Sequence, residues 1–164
     1  MIKSADILNY LSENNFSLST GVPCSYFKEL LIELEKSAEI QYIAATREDE
    51  AVGIACGYYL GKKNCFLIMQ NSGLATIGDA FTSLAQLYEI PLLIFVSYRG
   101  LEPDKTFPEH VIMGNVTEAV LKAYGIPYWN MKGENWRKIL DKALERMNED
   151  SSVVCILVEK GIII

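Results

Sequence analysis

One histidine in 164 residues excludes a metal centre built from several imidazoles. Positive charge is also short: 15 Lys and Arg stand against 21 Asp and Glu, a net charge of −6. A protein that tracks a phosphate backbone needs a basic footprint, so nucleic acid is not an expected partner. No apolar run reaches the roughly 18 residues of a membrane span. Met1-Ile2-Lys3-Ser4-Ala5-Asp6 holds no signal-peptide apolar core. The four cysteines, Cys24, Cys56, Cys65 and Cys155, never fall as C-x-x-C, which excludes a zinc ribbon and a thioredoxin motif. Cys65 and Cys155 lie inside apolar runs, where thiols behave as inert core. These features lead to the expectation of a cytoplasmic, reducing compartment and no membrane association.

What the chain does have is apolar bulk. Half of its residues are hydrophobic and 22% are charged, enough to bury a core and to exclude a disordered tail. The pattern alternates helix and strand. Helices are expected over 4–14, 26–36, 47–60, 74–88, 117–124 and 134–148, with Ser4 and Thr46 as N-caps and Gly61 closing the third. Strands are expected over 16–19, 40–45, 64–69, 91–97, 126–131 and 153–159. Residues 98–116 read as a long irregular stretch. Continuous apolar strands joined by helices predict an α/β protein, a three-layer α/β/α sandwich around a six-stranded parallel sheet. With no linker, repeat or low-complexity tract, residues 1–164 are expected to form a single domain.

Ligands of such sheets sit at the carboxyl ends of the strands. The loops there are chemically loaded. The first is Thr20-Gly21-Val22-Pro23-Cys24-Ser25. The second opens a helix with Thr46-Arg47-Glu48-Asp49-Glu50. Acidic residues in a first turn answer the helix dipole and need no other reason. Yet the helix continues with Ala51, Val52, Gly53, Ala55, Cys56 and Gly57, so it packs closely on several sides. A carboxylate at its start would lie at a dry boundary, able to share a proton with a ligand nitrogen. The third loop, Gln70-Asn71-Ser72-Gly73, offers amides and backbone N–H groups to an anion or a heterocycle, or simply turns the chain with a polar cap. The fourth holds Arg99 and His110; a guanidinium suits a phosphonate, sulfonate or carboxylate because its fork is bidentate. Trp129, Trp136, Tyr124 and Tyr128 fall at apolar positions and are expected to pack in the core or an interface.

These stretches together resemble one family over essentially the whole chain. It is the pyrimidine-binding domain of thiamine-diphosphate decarboxylases, and within them phosphonopyruvate decarboxylase and the alpha subunit of sulfopyruvate decarboxylase. The resemblance is carried by Thr20-Gly21-Val22-Pro23-x-Ser25, by Glu48 ahead of Gly57-Tyr58, by Met69-Gln70-Asn71-Ser72-Gly73-Leu74, and by Arg99-Gly100 with Pro108-x-His110-x-x-Met113-Gly114. It implies that Glu48 is the catalytic glutamate, which hydrogen-bonds the N1′ nitrogen of the cofactor's aminopyrimidine and helps it take the C2 proton of the thiazolium. It implies that Gln70, Asn71, Ser72 and Gly73 join Glu48 in binding thiamine diphosphate. Pro23, Cys24, Ser25, Arg99 and His110 would face the anionic 2-keto acid.

The chain also departs from the family pattern. Cys24 stands where phosphonopyruvate enzymes commonly carry Asp, while His110 leans toward them. Ala75-Thr76 follows Leu74 where Gly-Asn is usual. The Gly-Asp-Gly signature that holds diphosphate through Mg²⁺ does not occur; Gly78-Asp79 is followed by Ala80. A beta subunit is therefore expected to supply the diphosphate and Mg²⁺ half, this chain holding no metal itself, in an α₂β₂ or larger hetero-oligomer. The alternative is a non-catalytic binding or regulatory module that keeps the fold. A generic flavodoxin-like domain with acidic caps would need neither partner nor cofactor.

Overall fold

The computed structural model describes residues 1–101 and 107–164. Six parallel strands form one sheet in the order β2-β1-β3-β4-β6-β5: β1 Phe16–Gly21, β2 Gln41–Ala44, β3 Asn64–Gln70, β4 Leu92–Ser97, β5 Tyr128–Asn130 and β6 Val153–Val158. The strands β4 and β6 are buried at every residue, and β3 at all but its ends, which is why they read as unbroken apolar runs. The helices α1 Ser4–Glu13, α2 Lys28–Lys36 and α6 Trp136–Glu149 cover one face. The other face is covered by α3 Glu48–Leu60, α5 Pro108–Ala123 and the segment after β3, which contains the short α4 Gly78–Ala80. The sandwich expected from the alternation is the one observed.

Each face has its own core. On one, Phe16, Phe66 and Phe95 meet edge to face at centroid distances of 6.2 and 5.7 Å, with Leu11, Leu30 and Leu140 around them. Each such ring pair is worth about 0.5–1.5 kcal/mol beyond the area it buries. On the other, Leu67, Met69 and Ile94 pack against Val52, Ala55 and Leu121. All four cysteines are buried free thiols.

The strands pair in a register that aligns their carboxyl ends. Gly21 lies beside Ala44 and Ile68, Gln70 beside Ser97, and Ser97 beside Val158. Chain order reverses between β1 and β3, so the loops after these two strands diverge and leave a crevice between them. Gly21 is required for close approach: a Cβ there would come within 1.9 Å of the Ile68 carbonyl oxygen.

Two expectations are corrected. Residues 108–116 are not irregular, because α5 starts at Pro108, a residue pre-set for the first helical position. Gly114 obscured this by interrupting the helical pattern. It is glycine because a Cβ would press to within 2.8 Å of the Arg99 carbonyl oxygen. Conversely, residues 74–88 are not one helix. A 3₁₀ turn Asn71–Ala75, the short α4 and a π-helical turn Phe81–Gln86 replace it, with Gly78 packed so closely on Tyr124 that a Cβ would meet its hydroxyl at 2.5 Å. Among the described residues, no helix is long and apolar enough to cross a membrane.

Candidate active site

The acidic turn at the start of α3 separates into structural and unengaged carboxylates. Glu50 accepts hydrogen bonds from the Thr46 amide at 2.8 Å and the Thr46 hydroxyl at 2.7 Å, which closes the helix start. The Thr46 hydroxyl bond holds the Glu50 carboxyl below its usual range. Asp49 accepts from Nε and Nη2 of Arg47, at 3.0 and 2.9 Å, and its carboxyl is lowered chiefly by that pairing. Thr46 therefore contributes to the cap from outside it, and Arg47 is the N-cap residue. Glu48 is different. Among the described residues its carboxylate has neither a hydrogen bond nor an ion pair. It is half-buried, and it lies directly on Gly73. A Cβ at Gly73 would stand 2.5 Å from Glu48 Cγ and 2.8 Å from Cδ and Oε1. Gly73 does not have positive φ, so space, and not backbone conformation, excludes a side chain.

The Gln70–Gly73 turn ties this carboxylate to the next loop. Gln70 Nε2 donates to Ser72 Oγ at 3.0 Å. Asn71 is fully buried. Its amide nitrogen donates to the Arg99 carbonyl oxygen at 3.0 Å and to Thr117 Oγ1 at 2.9 Å, so both of its hydrogens are spent inside the protein. Its Oδ1 is buried with no partner among the described residues. Asn71 thereby fixes the end of β3 against both Arg99 and α5.

Arg99 completes the edge. Its guanidinium lies over the Tyr26 ring, 4.3 Å from the centroid, and Nη2 donates to Ser25 Oγ and, at 3.6 Å, to Cys24 Sγ. Cys24 Sγ lies 3.1 Å from Ser97 Oγ, at the end of β4. An open cleft of about 380 Å³ borders Ser25, Tyr26, Arg99 and Phe107. Gly100 has φ of +89° and touches the backbone at His110, where a Cβ would clash at 1.8 Å. His110 stands in the first turn of α5 and not in a loop; its ring meets Phe107 edge-on at 5.3 Å, and its Nδ1 is buried without a partner among the described residues.

The structure thus gathers the candidates into two linked groups. Glu48 and Gly73 lie together, and Cys24, Ser25 and Arg99 form a second set, to which His110 is joined only through its backbone against Gly100; Asn71 connects the two. Pro23 is exposed at the head of the first loop. Sequence reasoning missed Tyr26, Ser97 and Thr117. Ser97, a lone hydroxyl at the end of an otherwise apolar strand, carried a readable signal; Thr117 did not.

A parallel sheet covered by helices on both faces, with its polar loops gathered at the carboxyl edge, places the chain in the α/β class whose ligands sit at that edge. Residues 3–125 match the family described as thiamine pyrophosphate enzyme, N-terminal TPP binding domain, and the chain belongs to that family. It is 34% identical over 159 residues to sulfopyruvate decarboxylase subunit alpha of Methanococcus maripaludis, covering 96% of this chain and 95% of that protein. To the subunit of the same description from Methanocaldococcus jannaschii it is 36% identical, covering 94% and 91%. Phosphonopyruvate decarboxylase of Streptomyces viridochromogenes is 34% identical over 121 residues, which are 74% of this chain but 30% of that protein.

Proposed function

We propose that this chain is the alpha subunit of a thiamine-diphosphate-dependent decarboxylase that converts 3-sulfopyruvate to CO₂ and the corresponding acetaldehyde. The observation that carries the reading is the Glu48 carboxylate, seated on Gly73 with no partner among the described residues. Sulfonate is favoured over phosphonate because two alpha subunits named for sulfopyruvate match along 95% and 91% of their own length.

The residues present fit the aminopyrimidine end of the cofactor. A ring nitrogen requires a carboxylate not already engaged, and Glu48 offers one. Gly73, lacking a side chain, makes the room that the Glu48 side chain itself occupies. The orphaned Asn71 Oδ1 is an unused acceptor next to it in the turn. When bound, the thiazolium ring supplies the electron sink that makes loss of CO₂ from a 2-keto acid possible. Glu48 would hold the proton shared with N1′. Gln70 and Ser72 would shape the pocket wall, and Asn71 would keep the wall in register with Arg99. Arg99, with Pro23, Cys24, Ser25 and His110 around it, would neutralise the substrate's anionic end.

The diphosphate end would be held outside the described residues of this domain, on a partner subunit. Among the described residues no three His, Cys, Asp or Glu side chains gather as a cation site. A beta subunit carrying Mg²⁺ and the diphosphate pocket would close over Glu48 in an α₂β₂ or larger assembly, with residues 1–164 as its single pyrimidine-side domain. The outer face of α3 supports this. Gly53 and Gly57 lie open there, with nothing within 4 Å of an added Cβ, and Leu60 is 66% exposed. A surface helix normally turns charge outward; this one continues its apolar character on the solvent side, beginning one turn from Glu48.

The test is decarboxylation by the reconstituted complex. Glu48→Gln keeps the shape and removes the proton partner, so turnover should fall by about 10²–10⁴-fold with assembly intact. Near-normal turnover would refute the assignment. A wild-type complex that binds cofactor yet decarboxylates nothing would favour the non-catalytic module.

A further inference from the structure

Among the described residues the Arg99 guanidinium has no counter-charge. No carboxylate among them lies within ion-pairing distance of it, and its Nε is buried with no partner among them. An uncompensated, half-buried cation is costly unless something anionic joins it. Its immediate partners are all neutral: the Tyr26 ring, the Ser25 hydroxyl and the Cys24 thiol, the last 3.1 Å from the Ser97 hydroxyl. The charged groups at the rim are Lys28 and Glu29 of α2 and Lys160 after β6. Lys28 and Glu29 are exposed and pair with each other at 3.6 Å, so Glu29 does not neutralise the interior. Among the described residues the inner wall therefore offers one positive charge and neutral groups, with no carboxylate to accept a proton.

We propose that Cys24 determines which anion on C3 the Arg99 cleft accepts, its neutral thiol favouring a group with no proton to share. This rests on the decarboxylase reading above. A sulfonate is fully ionised at any physiological pH and needs only donors. A phosphonate sheds its second proton near neutrality, and its protonated form needs an acceptor for the P–OH. A carboxylate at position 24 would lie where Sγ now sits, 3.6 Å from Arg99 Nη2. It would neutralise the guanidinium, which weakens the hold on a fully ionised sulfonate and penalises a phosphonate that still carries its proton far less. The side chain at 24, buried behind the cleft lining, is thus a specificity-determining one that acts through the charge on Arg99.

The experiment compares kcat/KM for sulfopyruvate and phosphonopyruvate in the reconstituted complex, for wild type, Cys24→Asn and Cys24→Asp. Asn matches Asp in size without its charge. Cys24→Asp should lose sulfopyruvate activity by roughly 30-fold or more while phosphonopyruvate activity changes far less. Cys24→Asn should keep the wild-type preference within roughly threefold. Equal preferences in the Asn and Asp variants would overturn the assignment. Should the Asp variant fail to assemble, the wild-type pH profile decides. The ratio of phosphonopyruvate to sulfopyruvate kcat/KM should rise from pH 6 to 8 as the phosphonate deprotonates, and taking the ratio cancels titration of the protein. A flat or falling ratio overturns the proposal. Wild-type turnover of neither acid would defeat this inference together with the decarboxylase reading; turnover without a shift in preference would defeat the Cys24 assignment alone.

Discussion

Gly73→Ala is the smallest change that should disable the site without unfolding the chain. The added Cβ would stand 2.5 Å from Glu48 Cγ. Carbon atoms in ordinary contact are about 3.5–4.0 Å apart, so the glutamate side chain must retreat by about 1 Å. It can do so cheaply, because it lies in the first turn of α3 with no hydrogen bond or ion pair among the described residues. The strain is that of an off-rotamer side chain, about 0.5–1.5 kcal/mol. For a domain of this size that lowers Tm by only a few degrees. Activity should suffer more, because about 1 Å of misplacement at a reacting group can cost about 10²-fold, or ~2.7 kcal/mol of barrier. The assay is kcat of the reconstituted complex at saturating cofactor, with thermal melts alongside. The decisive control is the double variant. If Gly73 acts through Glu48, adding Gly73→Ala to Glu48→Gln should cost little further. A full hundredfold loss on top of Glu48→Gln, or an unimpaired Gly73→Ala enzyme, would refute the reasoning.

Three further outcomes follow from the same structure. Asn71→Ala should destabilise the subunit by about 2–4 kcal/mol in urea unfolding, because two buried hydrogen bonds go and the Arg99 carbonyl loses its donor. A loss under ~0.5 kcal/mol would show that these bonds are not holding the edge. Gly57→Arg should leave the isolated subunit at least as stable, since Gly57 is open and arginine is the better helix former. Yet it should prevent co-purification with the beta subunit, and an intact complex would remove α3 from the interface. Burial pushes the Cys56 thiol from 9.0 up to about 11. A raised folded pKa stabilises only while the unfolded thiol stays protonated. The Cys56 contribution is therefore complete below pH 9 and lost as pH rises toward 11, visible as a fall in the urea midpoint that is shallower in Cys56→Ala, where the buried Cys65 and Cys155 thiols still contribute.

The sheet was legible because each central strand is apolar on both faces and each crossover has helical length. β3, β4 and β6 could be drawn from hydrophobicity alone, since a parallel sheet buried on both sides leaves no alternation to misread. Gly100 and Gly114 obscured the start of α5 because their purpose is a contact between segments: the Arg99–Gly100 backbone crosses the helix at His110–Gly114, and only removed side chains let it do so. The acidic turn shows the same limit. In the sequence, Glu48, Asp49 and Glu50 are three equivalent answers to a helix dipole. Tertiary structure distinguishes them, binding Asp49 to Arg47 and Glu50 to Thr46 and leaving Glu48 against Gly73, 25 residues along the chain. Local pattern determined the elements and their order, because burial on a sheet or helix face is written in near-neighbour spacing. Which carboxylate has no partner among the described residues, and which guanidinium has no counter-charge among them, was decided only by folding, because both depend on what arrives from distant strands.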